Sequence, residues 1–177
     1  MLNLIQKYHK YAEFVMRPHP NLLFNYQCNQ LDDSDAISLI ESGATISIDK
    51  EYIGWLKWSD AMIHDCGSFR CEYLFMDRPV CYMANDINMD PKIWSDMGKE
   101  AIDCHEIAWL ERGDTLDRFV QNVIEGRDDK AELRRRYIER HCSSYPNGKT
   151  PCENIVNAIL GQEEYAYLNS EEMGDGT

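Results

Sequence analysis

Apolar residues fall at two spacings along this 177-residue chain. Short solid runs recur: AEFVM at 12–16, ATISI at 44–48, AMIH at 61–64, VCYM at 80–83, and one inside AIDCHEIAWL at 101–110. Runs of this length suit strands buried on both faces. Between them the spacing turns helical. Leu2, Ile5, Tyr8 and Tyr11 mark a first helix. SDAISLIES at 34–42 marks another, with Asp33 or Ser34 as N-cap and Gly43 as its stop. Tyr52, Ile53, Trp55 and Leu56 form the apolar side of a short helix over 49–58. Phe69 to Met76 is a crowded helical face that Asp77-Arg78-Pro79 halts. Asp90-Pro91 begins a short helix that ends near Gly98.

Three further helices carry clear punctuation. Asp114 or Thr115 caps a stripe of Leu116, Phe119, Val120, Val123 and Ile124, and Gly126 ends it. The next runs from Asp128 to Arg140, with Arg134-Arg135-Arg136 as a solvated face. Thr150-Pro151-Cys152-Glu153 is a capping box that opens a helix burying Ile155, Val156, Ile159 and Leu160. Strands alternating with helices predict an α/β domain on a parallel sheet, over residues 1–160. Residues 161–177 are an acidic tail.

The stretch Ser59–Met83, SDAMIHDCGSFRCEYLFMDRPVCYM, organises the rest. It reads strand, tight turn, helix, strand, which is one βαβ unit with a right-handed crossover. A helix starting near Gly67 aims unpaired N–H groups outward from the carboxyl edge of the sheet, where they favour an anion. Gly67 lets a phosphate approach the backbone, and Ser68 adds a hydroxyl. Glu72, one turn further on, is placed to accept from sugar hydroxyls. Upstream, two prolines hold Arg17-Pro18-His19-Pro20 extended. Arg17 and His19 then stand at a strand end, on the ligand-binding edge of an open α/β sheet. His105, inside the 101–110 segment, reads as a core or sheet-face residue.

Charge narrows the ligand. The net charge is −13, which repels nucleic acid and anionic lipid, so any phosphate must be held by local donors. Of the seven cysteines, with no C-x-x-C pair, Cys66, Cys71, Cys81 and Cys104 sit in apolar runs and read as reduced core residues of a cytoplasmic protein, and no metal site is expected. No run approaches the roughly 20 apolar residues of a membrane span. A helix before the first strand suggests that at least one more strand once preceded it.

The 59–83 stretch resembles the signature of the CDP-glycerol glycerophosphotransferase family, enzymes that polymerise or prime teichoic-acid-type chains. The family pattern is matched at Ser59, Asp60, Ile63, Asp65, Ser68, Glu72, Tyr73, Arg78 and Pro79. It is missed at Gly67, where the family has a serine. The Arg-Pro-His-Pro corner resembles the family's R-x-H-P motif, and the likeness covers roughly residues 12–160. It implies a Rossmann-like lobe similar to the C-terminal, nucleotide-binding lobe of a GT-B transferase, acting at the inner face of the membrane through a partner lobe. It further implies CDP-glycerol or a related nucleotide-diphosphate donor and no cofactor. By the same resemblance His19 and Asp65 are catalytic, while Arg17, His19, Gly67, Ser68 and Glu72 bind the donor. The acceptor-binding first lobe has no counterpart in these residues. Two other readings stand beside this one: a nucleotide-sugar glycosyltransferase or 2-epimerase-like lobe, and a non-catalytic binding remnant.

Overall fold

In the computed structural model the apolar runs pair as parallel strands. It describes residues 2–18, 41–48, 51–65, 68–86, 89, 90, 92, 94–109, 114–142 and 149–161. β1 (Val15–Met16) and β2 (Thr45–Ile46) form one parallel pair. β3 (Met62–His64), β4 (Val80–Ala84) and β5 (Glu106–Trp109) form a three-stranded parallel sheet in that order. Its register sets His64 beside Tyr82, and Tyr82 beside Ile107.

Pleating explains why these strands read as solid apolar runs. Successive residues face opposite sides of the sheet, and both sides are covered. On one side Ala61, Ile63, Cys81 and Ala108 pack with Leu4 and Tyr8 of α1 (Leu2–Tyr8) and Phe119 and Val120 of α5 (Asp114–Ile124). Lys7 of α1 meets Asp117 of α5 at 2.7 Å. On the other, Met62 and Val80 pack with Leu56 of α2 (Ile53–Trp58), Ala101 and Cys104 of and just after α4 (Asp96–Asp103), and Tyr137 of α6 (Ala131–Cys142). The result is α/β with helices on both faces of a parallel sheet, as the alternation of spacings predicts. Gly43 and Gly126 adopt φ of 82° and 71° at the two helix stops read from sequence, a region costly for residues with a Cβ. Of the helix expected over 34–42, only its end falls within the described residues.

Several expectations are corrected. The helix after the β3 turn is α-helical only over α3 (Phe69–Glu72) and then tightens into a 3-10 turn over Tyr73–Met76. It ends within the Asp77-Arg78-Pro79 stop read from sequence, at Asp77, which lies at φ 47° in the left-handed region. The start expected at Pro91 lies outside the described residues; Trp94 and Ser95 are not helical, and α4 begins at Asp96, where the Ser95 hydroxyl accepts from the Gly98 N–H at 3.2 Å. Gly98 therefore lies in a first turn, buried against Ser95, and ends nothing.

Arg134 is not part of a solvated face. It is 1% exposed, donating to Asp128 at 2.6 Å and to Asp77 at 3.1 Å. Helical spacing turns each successive residue by about 100°, so neighbours in an Arg-Arg-Arg run point different ways; Arg135 and Arg136 do face solvent. Finally, α7 (Pro151–Ile159) has its capping box as read, with the Glu153 carboxylate accepting from the Thr150 N–H at 2.7 Å. Its stripe, however, is not buried: Ile159 is 78% exposed and Ile155, Val156 and Leu160 more than half. The chain divides into compact units at Met1–Ile138 and Glu139–Thr177, and α7 belongs to the second.

Candidate functional site

The unit β3–turn–α3–β4 is a parallel βαβ, so the turn after His64 opens at the carboxyl edge of the sheet. Asp65 and Ser68, on either side of the turn, are both exposed. Ser68 stands at the start of α3, its carbonyl accepting from the Cys71 N–H at 3.2 Å, while its hydroxyl caps nothing. Glu72 is half-buried and its carboxylate accepts from the Tyr52 hydroxyl at 3.0 Å. That bond leans Glu72 toward α2. Gly67 lies outside the described residues.

Arg17 follows β1 directly, and its guanidinium donates to the Ser47 hydroxyl just past β2. It thereby clips the carboxyl ends of this strand pair together. His19 lies outside the described residues. The structure thus sets Asp65 just after β3, Ser68 just before α3 and Glu72 at the end of α3, and Arg17 at the end of the other parallel pair.

The remaining signature residues do something else. At the amino end of β3, Arg78 donates to the carbonyls of Lys57, at 2.8 Å, and of Ser59. The buried Tyr73 hydroxyl lies 3.0 Å from the Ser59 hydroxyl and 3.2 Å from its carbonyl. Burial raises the Tyr73 pKa, so this hydroxyl keeps its proton. Tyr73, at the start of the 3-10 turn, and Arg78, just past it, both hold Ser59, which leads into β3. The signature is therefore split between a structural clasp at one end of the unit and exposed polar groups at the other.

Sequence reasoning missed a polar cluster on the sheet face beneath α3 and α4. His105, 1% exposed, donates from Nδ1 to the Ala101 carbonyl at 2.8 Å. Its Nε2 must then accept, from His64 Nε2 at 3.1 Å. Burial, with the His64 imidazole next in order, lowers the His105 pKa to about 3, so this ring stays neutral. The Tyr82 ring sits 5.2 Å from that of His64. Arg70, in the first turn of α3, lays its guanidinium 4.5 Å from the Trp94 ring centroid and 5.8 Å from that of Tyr82. One signal was available in part: His64 and Tyr82 both lie in the apolar runs flanking the same turn and helix, and the parallel register pairs them.

Comparison of the chain with protein-family models, with curated proteins and with solved structures gives no match in any of the three. Among the described residues no helix is long and apolar enough to cross a membrane, and no three His, Cys, Asp or Glu side chains gather as metal ligands. A depression between Pro79, Glu106, Phe119, Arg127 and Lys130 has room for about one water-sized molecule. It lies at the amino end of β4 and β5, away from the turn.

Proposed function

We propose that this chain is the nucleotide-binding half of a CDP-glycerol glycerophosphotransferase-like enzyme, taking part in cell-envelope polymer synthesis. The reading is carried by one observation: the signature's polar residues Asp65 and Ser68 stand exposed where a parallel strand hands over to a helix, at the edge where open α/β sheets bind ligands. The lobe similar to that of a GT-B transferase belongs to this proposal, as does an acceptor-binding lobe outside these 177 residues.

In the assembled enzyme an acceptor hydroxyl attacks the glycerol-bearing phosphorus, its proton passing to a base of the acceptor-binding lobe. The bond to the bridging oxygen breaks, and CMP leaves with its electron pair. Catalysis is positioning and charge stabilisation. His19 stabilises charge on the leaving phosphate, and Ser68 with the backbone around Gly67 holds the diphosphate. Glu72 takes a ribose or glycerol hydroxyl. Asp65, whose carboxylate a diphosphate repels, keeps the turn or a substrate hydroxyl in place. Alone, the lobe binds donor and turns over little or nothing.

Calorimetric or NMR titration with CDP and CDP-glycerol tests this. Binding that weakens in His19→Ala and Ser68→Ala supports it; no binding at millimolar ligand overturns it. A second reading, a non-catalytic binding remnant, is favoured by glycine at position 67, which removes one phosphate-facing hydroxyl. Binding unchanged in both variants would favour the remnant.

A further inference from the structure

Glu72 is held by a residue from outside its own βαβ unit. It ends α3 half-buried, and among the described residues its carboxylate pairs with no Lys or Arg. Its side-chain hydrogen bond there is to Oε2, from the Tyr52 hydroxyl at 3.0 Å. A carboxylate only accepts, through about four lone-pair sites on its two oxygens, so Oε1 can still take a donor. Tyr52 directly precedes α2 and is itself fixed. Its ring meets that of Phe69, the first residue of α3, edge-on at 5.6 Å between centroids. One phenol thus touches both ends of α3. Glu72 raises the Tyr52 pKa, so the hydroxyl keeps its proton and goes on donating. The Glu72 N–H donates to the Ser68 carbonyl at 3.4 Å across one helical turn, and residues so spaced share a helix face about 6 Å apart.

We propose that Tyr52 is a positioning residue of the donor site, holding Glu72 so that Oε1 accepts from a ribose or glycerol hydroxyl of the nucleotide donor. The proposal rests on the nucleotide-binding reading above and adds to it a residue outside the family pattern. A carboxylate repels phosphate oxygens and attracts a hydroxyl, so the pair reads the hydroxyl-bearing part of the ligand and leaves the diphosphate to Ser68 and the backbone. A glutamate side chain free to turn loses rotamer entropy when a ligand fixes it. With Oε2 already bonded, much of that loss is taken at folding. Tyr52 does this without cancelling the negative charge, as a Lys or Arg partner would. The hydroxyl then meets a full carboxylate, and a hydrogen bond to a charged acceptor is the stronger kind.

The test is calorimetric titration of the whole chain with CDP-glycerol, CDP and 2′,3′-dideoxycytidine diphosphate. The parent is compared with Tyr52→Phe, Glu72→Ala, the double variant, and exposed Tyr11→Phe as control. Tyr52→Phe keeps the ring against Phe69 and deletes only the hydroxyl. It should weaken, by about fivefold, the ligand whose hydroxyl Glu72 takes, and spare the ligand that lacks it. A loss for CDP that vanishes with the dideoxy compound assigns the ribose; a loss for CDP-glycerol that vanishes with CDP assigns the glycerol. In the Glu72→Ala background Tyr52→Phe should cost nothing further, because the two residues act as one. Tyr11→Phe should change nothing. Each ratio between ligands is taken within one variant, so a smaller folded fraction cancels. Equal losses for all three ligands, additive losses in the double variant, or no loss with any ligand overturn the proposal and leave the nucleotide reading standing. A parent that binds none of the three removes both.

Discussion

The buried imidazole pair ties a single proton to the integrity of the sheet face. His105 has no room for a second proton while its Nδ1 donates to Ala101 and its Nε2 accepts from His64. Its pKa of about 3 lies below the unfolded value of 6.5, so the unfolded chain binds more protons between those two pH values. The stability from His105 is therefore full above pH 6.5 and is lost as pH falls toward 3. Between pH 6.5 and about 5, above the usual carboxylate range, urea unfolding should show stability falling by up to about 1.4 kcal/mol per pH unit. A His105→Asn variant should start less stable and lose most of that slope. At the other end of the unit, Tyr73→Phe removes a buried hydroxyl from the Ser59 clasp. It should cost about 1 kcal/mol in the same measurement, a larger loss than Tyr11→Phe on the surface.

At the scale of elements, the βαβ unit is held by ion pairs that no strand pattern reveals. Asp77 ends the 3-10 turn in a left-handed conformation, and its carboxylate meets both Arg134 and Arg135 of α6. Burial opposes the charge on Arg134, yet the carboxylates of Asp128 and Asp77 more than offset this and raise its pKa. Asp128→Asn would leave that buried guanidinium half-compensated. It should destabilise the fold by about 3 kcal/mol, read from the urea midpoint. Strands and most helices were legible because an element buried on two faces leaves a solid apolar run and one buried on a single side leaves a 3.6-residue stripe. The left-handed turn at Asp77 and the burial of Arg134 were not, and the ion pair that joins the two spans more than fifty residues. The start of α4 was misread for a local reason. Asp90-Pro91 and Ser95 are both plausible openings, and the choice falls to the one whose hydroxyl reaches a free N–H.

At the scale of the molecule, the two compact units are built differently. Residues 1–138 own the sheet and the buried clusters, while the described part of 139–177 centres on α7 with its apolar stripe in solvent. Amphipathic spacing states which side of a helix is apolar and is silent on what lies against it, so the burial expected for Ile155, Val156, Ile159 and Leu160 does not occur. Ile159→Glu should change the unfolding free energy by no more than about 0.5 kcal/mol, where a core substitution such as Leu74→Ala should cost about 2–5 kcal/mol. The candidate site was legible only in part. Asp65 and Ser68 are exposed between β3 and α3, but Tyr52 on Glu72 and the Arg70–Trp94 stack arise from tertiary packing between segments that share no local pattern.

The clasp on Ser59 also decides where the unit can yield. With Arg78 and Tyr73 pinning one extremity, an incoming ligand can displace the Asp65–Ser68 side only by pivoting it about a fixed anchor, never by sliding the whole strand. Amide hydrogen exchange should then divide along a few residues of chain. The Asp77 amide, bonded to the Leu74 carbonyl, should keep one rate with or without ligand, while the Phe69 amide slows when the site fills.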